Sequence, residues 1–198
     1  MTSENKGSPR GKPKGDKRER TRAALLEAAR AVVRQRGHER TTLEKVAKRA
    51  GMTTGAIYGN FKNREELFIA LGQMYWAPVK PRISPGATFA EAMHAFAEAT
   101  IAAVDERAPV AFGRLTGLAY TLKNAKLRSK VIEVTKSSYE FGAEWLRQFD
   151  PAELPMPPEP LVRVIHILIE GLVMQRILTP ELCPDEVFYA AFAALARR

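Results

Sequence analysis

The sequence predicts an all-α protein of about nine helices, on three observations. Its 45% hydrophobic content is carried largely by Leu, Ala, Val and Ile at spacings of three and four, with few alternating β-branched runs. Hydroxyl or amide residues stand three positions ahead of a glutamate just before such spacings, as Thr41 with Glu44 and Asn63 with Glu66. Prolines cluster between the periodic stretches, at 78, 81 and 85 and again from 151 to 160. At 198 residues the chain is long enough for a small module joined to a larger helical body.

Residues 1–19 are rich in Gly, Pro, Lys and Arg, with no apolar anchor after Met1, and are expected to form a disordered basic arm. From Thr21, Leu25, Ala28, Ala29, Val32 and Val33 share one face of a first helix that stops at Gly37. Thr41 and Glu44 read as a capping box, so a second helix is expected over 42–50, burying Leu43, Val46, Ala47 and Ala50. Gly51 permits a sharp turn, Thr53 can cap a third helix, and Ile57 and Phe61 give that helix its buried side. Asn63 opens a fourth, whose Leu67, Phe68 and Leu71 point inward. After the Pro78 to Gly86 connector, helices are expected over about 88–106, 110–122, 127–149, 160–178 and 185–197, with "PAELPMPPEP" as a loop. The expected domains are the arm, a module over 20–66 and a helical body over 67–198.

Charge separates the same two parts. Residues 1–64 hold 17 Lys or Arg against 6 Asp or Glu, whereas residues 65–198 hold 14 against 16. The whole basic excess is N-terminal, as expected of a nucleic-acid-contacting end on a near-neutral body, or of a tail that only aids solubility. A lone Cys183 excludes an internal disulfide, and no signal-like apolar stretch follows Met1, so a cytoplasmic protein is expected. The longest apolar run, "VIHILIEGLVM" from Val164, is too short for a bilayer span and carries His166 and Glu170, which makes it a core or interface helix.

In "TTLEKVAKRAGMTTGAIYGNF" a helix, a glycine turn and a second short helix with small polar residues follow one another. That is the layout of a helix-turn-helix whose second helix enters the DNA major groove. Thr54, Gly55, Ala56 and Asn60 are the candidate base readers. Threonine offers a methyl and a hydroxyl, asparagine can pair bidentately with adenine, and glycine lets the backbone approach. Gly59 is read as a position without a side-chain base contact. Thr42, Lys45, Thr53, Tyr58 and Lys62 are the candidate phosphate contacts, with Lys45 and Lys48 otherwise read as solvated lysines. The arm could enter a minor groove or add nonspecific affinity alone.

The run from Thr41 to Phe68 resembles the DNA-binding module of TetR-type (tetracycline repressor-like) transcriptional regulators. Thr41, Thr42, Val46, Ala47, Ala50, Gly51, Gly55, Tyr58, Phe61, Glu66 and Leu67 fall on that family's pattern. His38 stands where the family usually has Phe or Tyr, and Met52 where it usually has Val. The resemblance implies that the remaining helices bind a small molecule and pair two subunits.

Aromatic and polar residues on the later helices, Trp76, Met93, Phe96, Phe112, Tyr120, Tyr139, Trp145 and His166, are candidates for a largely apolar effector pocket or for ordinary core. Ile165, Leu168, Ile169 and Leu172, with Val187, Phe188, Ala191, Phe192 and Leu195, form two apolar stripes that fit either a four-helix seam between subunits or a core, and the resemblance favours the seam. The histidines and Cys183 make no recognisable metal set, and no cofactor is expected. Paired carboxylates, a phosphate loop and a nucleophile set are missing from the sequence, which argues against an enzyme. The expected function is therefore a homodimeric regulator, in the repressor sense, that reads a pseudo-palindromic operator and is released by a small molecule. A sequence-indifferent, nucleoid-type DNA-binding protein is the alternative.

Overall fold

The computed structural model describes residues 14–75 and 78–196, and among these it is all α-helix with short 3₁₀ turns and no strand. The chain divides into two compact units, Met1–Leu71 and Gly72–Arg198. No helix among the described residues is long and apolar enough to cross a membrane.

The first unit holds α1 (Lys14–Arg36), α2 (Leu43–Arg49), α3 (Thr54–Tyr58) and the start of α4 (Arg64–Tyr75). Helix α1 begins at Lys14, earlier than its apolar periodicity from Thr21, and so takes in residues 14–19 that composition assigns to the arm. Residues 1–13 lie outside the described residues. The buried side of α1, with Leu25, Ala29, Val32 and Val33, packs against α2, and α2 against α3; Val46, Ala47, Ile57, Phe61 and Leu67 are likewise buried.

The helix ends follow their capping chemistry. Gly37 and Gly51 have φ of 76° and 65°, the left-handed conformation that ends α1 and α2. At the second of these, Met52 N–H donates to Ala47 O at 2.9 Å and Gly51 N–H to Lys48 O at 3.2 Å, the paired bonds of a Schellman end. The capping box expected at Thr41 is corrected by one residue. Thr42 Oγ1 accepts from Lys45 N–H at 3.3 Å, while Thr41 is fully buried and donates its hydroxyl to Gly37 O at 2.8 Å.

The second unit holds α5 (Phe89–Arg107), α6 (Ala111–Lys123), α7 (Ala125–Leu146), α8 (Pro158–Leu178) and α9 (Asp185–Ala196). Thr88 and Glu91 form a reciprocal capping box at the start of α5. Pro158 and Pro160 sit in the first turn of α8, where a missing N–H has no helical acceptor to lose. Helix α5 packs against α8 and α9, and α7 against α8. Phe89, Met93, Leu146, Leu161, Phe188 and Phe192 are the large side chains of this core. A Cβ at Gly142 would come within 2.5 Å of Val162 Cγ2, so the α7–α8 approach requires glycine there. Helix α6 buries only Ala111, and α7 only Leu127, Ala143 and Leu146.

Candidate nucleic-acid interface and effector cavity

Helix α3, the candidate reading helix, is shaped by local constraints. Thr53 Oγ1 accepts from Ala56 N–H at 3.2 Å and starts the helix, Ile57 is fully buried on its inner side as α3 packs against α2, and Phe61, expected on α3 but lying just past its end at Tyr58, is fully buried too. Thr53, Thr54, Gly55, Tyr58 and Gly59 are left exposed, and Ala56 is half-buried. At Gly55 a Cβ would meet nothing nearer than Thr53 Oγ1 at 3.8 Å, so close backbone approach there is a property of the surface and not of strain.

Asn60 differs from the other candidate base readers. Its Nδ2 donates to Ala56 O at 2.8 Å and its Oδ1 is buried without a partner, so the amide is turned onto the end of α3. A bidentate pairing with adenine would require that bond to be given up, and in this conformation Asn60 serves as a helix-end lock. Arg22 completes the lock from α1. Its Nη1 donates to Asn60 O at 2.9 Å and its guanidinium lies 4.4 Å from the centre of the Phe61 ring. Arg22 was not legible in the sequence, being 38 residues from Asn60 on a helix whose polar face is Arg-rich throughout.

Among the candidate phosphate contacts, Lys45, Thr53, Tyr58 and Lys62 are exposed and Thr42 is half-buried at its cap. Lys45 Nζ donates to Arg40 O at 2.8 Å. Tyr58 donates its hydroxyl to Glu44 Oε1. That bond is the largest cause of a Glu44 carboxyl held below, and a Tyr58 hydroxyl held above, its ordinary range. His38, buried beside α4, packs edge-on to Phe68 at 5.3 Å and takes the place of an aromatic side chain. Burial, then the positive Arg64, lowers its pKa.

The second unit contains a cavity of about 1050 Å³. Of the sequence candidates, Phe96, Tyr139, Trp145 and His166 line it, on α5, α7 and α8. Met93 is fully buried in the core, Phe112 is largely exposed on α6, and Tyr120 accepts from Asn124 Nδ2 at 3.2 Å; none of the three lines the cavity. Trp76 lies outside the described residues. The lining also holds Arg107, Arg114 and Glu170, which sequence reasoning did not select. Their one visible signal was a glutamate inside the longest apolar run.

The candidate seam residues divide in a similar way. Ile165, Ile169, Leu172, Phe188 and Phe192 are consumed by the chain's own core, whereas Leu168, Ala191 and Leu195 are half-buried and Val187 is exposed. Ile167 and Leu178 on α8, 66% and 63% exposed, are the apolar residues that face away from that core. An apolar band wider than one contact face cannot show from sequence alone which edge turns inward.

Comparison with known proteins agrees with this geometry. Residues 25–71 match the model of the bacterial regulatory proteins of the tetR family. Over 51 residues, 26% of this chain and 24% of the relative, the chain is 51% identical to the HTH-type transcriptional regulator TtgR of Pseudomonas putida. Over the whole fold it is similar to NalD, the secondary repressor of the MexAB-OprM multidrug efflux pump in Pseudomonas aeruginosa. That likeness covers 90% of this chain and 98% of NalD at 24% identity, with a TM-score of 0.58. A TetR-family transcriptional regulator from Rhodococcus sp. aligns over 90% of this chain and 100% of its own, at 20% identity and a TM-score of 0.64. The sequence match to the curated relatives thus spans about a quarter of their length, and beyond it the likeness is one of fold.

Proposed function

We propose that the chain, whose residues 25–71 match the tetR-family model, is a transcriptional regulator of that family, acting as a homodimeric, ligand-responsive repressor of a pseudo-palindromic operator. The observation that carries this reading is the outward face of α3. Thr53, Thr54, Gly55 and Tyr58 are presented to solvent by a short helix and its cap, while Ile57 on the opposite side and Phe61 just past the helix end are fully buried. Thr54, Gly55 and Ala56 are assigned to base edges, and Thr42, Lys45, Thr53, Tyr58 and Lys62 to phosphates. Asn60 holds the end of the reading helix and reaches a base only after releasing Ala56 O.

Two copies would pair through α8 and α9, using the exposed Ile167, Leu178 and Val187, with Leu168, Ala191 and Leu195, which pack in part against the chain's own core, at the edge of the seam. Such a dimer sets its two reading helices about 34 Å, or a multiple of that, apart on the duplex. An effector in the cavity of the second unit acts by favouring one arrangement of the dimer over another, to the extent that it binds one better. The repressor sense is supported by NalD, which is described as a repressor.

In vitro selection from random duplexes, followed by binding at fixed salt, tests the proposal. A selected palindrome bound at least about a thousandfold more tightly than random DNA is the expected result. Near-equal affinities would instead mark a sequence-indifferent, nucleoid-type protein.

A further inference from the structure

The cavity of the second unit is apolar over most of its wall, with Phe96, Trp145, Val162, Ile165 and Ile169 in its lining, but its charged groups are not balanced. Arg107 Nη1 lies 3.9 Å from Glu170 Oε1, and Arg114 Nη2 lies 3.4 Å from Glu170 Oε2, so two guanidinium groups converge on one carboxylate. The remaining charged lining groups among the described residues, Lys80 and Glu133, are one of each sign. The side chain of Arg107 is only 6% exposed, against 26% for Arg114 and 28% for Glu170. A positive excess is therefore held in a partly desolvated place, where an opposite charge interacts more strongly than in water. Burial is the largest influence on Arg107 and lowers its pKa, Glu170 acts in the opposite sense, Arg114 acts with burial, and Glu106, exposed and outside the cavity lining, acts with Glu170.

We propose that the effector of this cavity is an amphipathic mono-anion, its carboxylate or similar group held by Arg107 and Arg114 and its apolar body laid against Phe96, Trp145 and Ile169. The proposal rests on the reading of this cavity as the effector site and adds the chemical class. An anion neutralises the excess and can take forked N–H donation from a guanidinium. A neutral ligand leaves the excess in place. A cation adds to it and can reach Glu170 only by displacing an arginine. The aromatic wall and the volume of about 1050 Å³ suit a ligand of one or several rings.

Calorimetric titration of the full chain with naphthoate, naphthylmethanol and naphthylmethylammonium, at neutral pH and matched salt, tests the inference. Naphthoate is expected to bind at least about tenfold more tightly than the alcohol, with the ammonium weakest. Arg114→Met should abolish that preference; Arg114→Lys should restore part of it, and Glu170→Gln should tighten naphthoate. Arg114→Lys also serves as the test if the methionine variant does not fold. Equal affinity for acid and alcohol, preference for the ammonium, no binding by any of the three, or naphthoate binding unaffected by both Arg114 variants would each overturn the proposal. Operator affinity is measured separately. Naphthoate that binds without changing operator affinity leaves the anion site standing and counts against the regulatory reading. Release of operator by the alcohol alone does the reverse.

Discussion

The Tyr58 hydroxyl donates to Glu44 Oε1 at 2.7 Å, tying the reading helix α3 to α2 across the turn at Gly51. Both side chains are exposed, so the phenol assigned to a phosphate oxygen is shared with a carboxylate that repels the same phosphate. Glu44→Ala is expected to raise affinity for every duplex by about threefold, and Tyr58→Phe to lower it by a similar factor. Anisotropy titrations at two salt concentrations check this, because the Glu44 effect should shrink as salt rises.

Base readers and phosphate contacts separate by what their loss does. Lys62→Ala should weaken all sequences alike and reduce the salt slope of log affinity by about one. Thr54→Ala should instead relax discrimination at one base pair of each half-site, costing about 1 to 3 kcal/mol against the preferred base. Competition between the selected operator and single-base variants distinguishes the two; equal losses on all duplexes for Thr54→Ala would remove it from the base readers.

Gly51 has φ 65° and open space where a Cβ would stand, so an alanine there meets backbone strain and no clash. Gly51→Ala is expected to destabilise the chain by about 1 kcal/mol. The urea midpoint should fall with an unchanged slope.

His38 binds its proton less readily in the folded chain, chiefly through burial. Its lowered pKa means that the unfolded chain takes up the proton first as pH falls. Its stabilising contribution is therefore fully present above the ordinary value of about 6.5 and is lost as pH falls through the folded value. His38→Phe, which keeps the edge contact with Phe68, should lose less melting temperature than the parent between about pH 7.5 and about pH 5. Parallel losses in the two proteins would assign the acid sensitivity elsewhere.

Ile167 is 66% exposed on α8 and takes no part in the core of its own chain. On the proposed pairing, Ile167→Glu should leave the fold intact and give a monomer in sedimentation equilibrium where the parent is a dimer, with operator affinity falling by about a hundredfold or more. A glutamate variant that still sediments as a dimer would place the seam on another face.

How much of this was legible in the sequence depended on how local the cause was. Gly51, Thr53, Ile57 and Phe61 declare a turn, a cap and a buried side within one short stretch, and the structure has each of them. The capping hydroxyl was displaced from Thr41 to Thr42 because adjacent threonines satisfy the same local pattern, and only burial decides between them. The bond from Arg22 to Asn60 was beyond reach, since it joins α1 to a turn 38 residues away in the chain. Along α8 the periodicity gave a helix but not its orientation, so Ile165 and Ile169 could not be told from Ile167. Arg107 and Arg114 gained meaning only when the fold brought them to Glu170.

Helix α6 keeps one buried side chain and α7 three, in contrast to α5, which buries seven. A segment with so few core side chains opens at a smaller free-energy cost than the helices behind it. Amide protons along 111–123 should therefore trade with deuterium well before those of 89–107. If the cavity does take a guest, the side of the second unit bearing α6 is where a doorway would cost least, with the α5, α8 and α9 packing left shut.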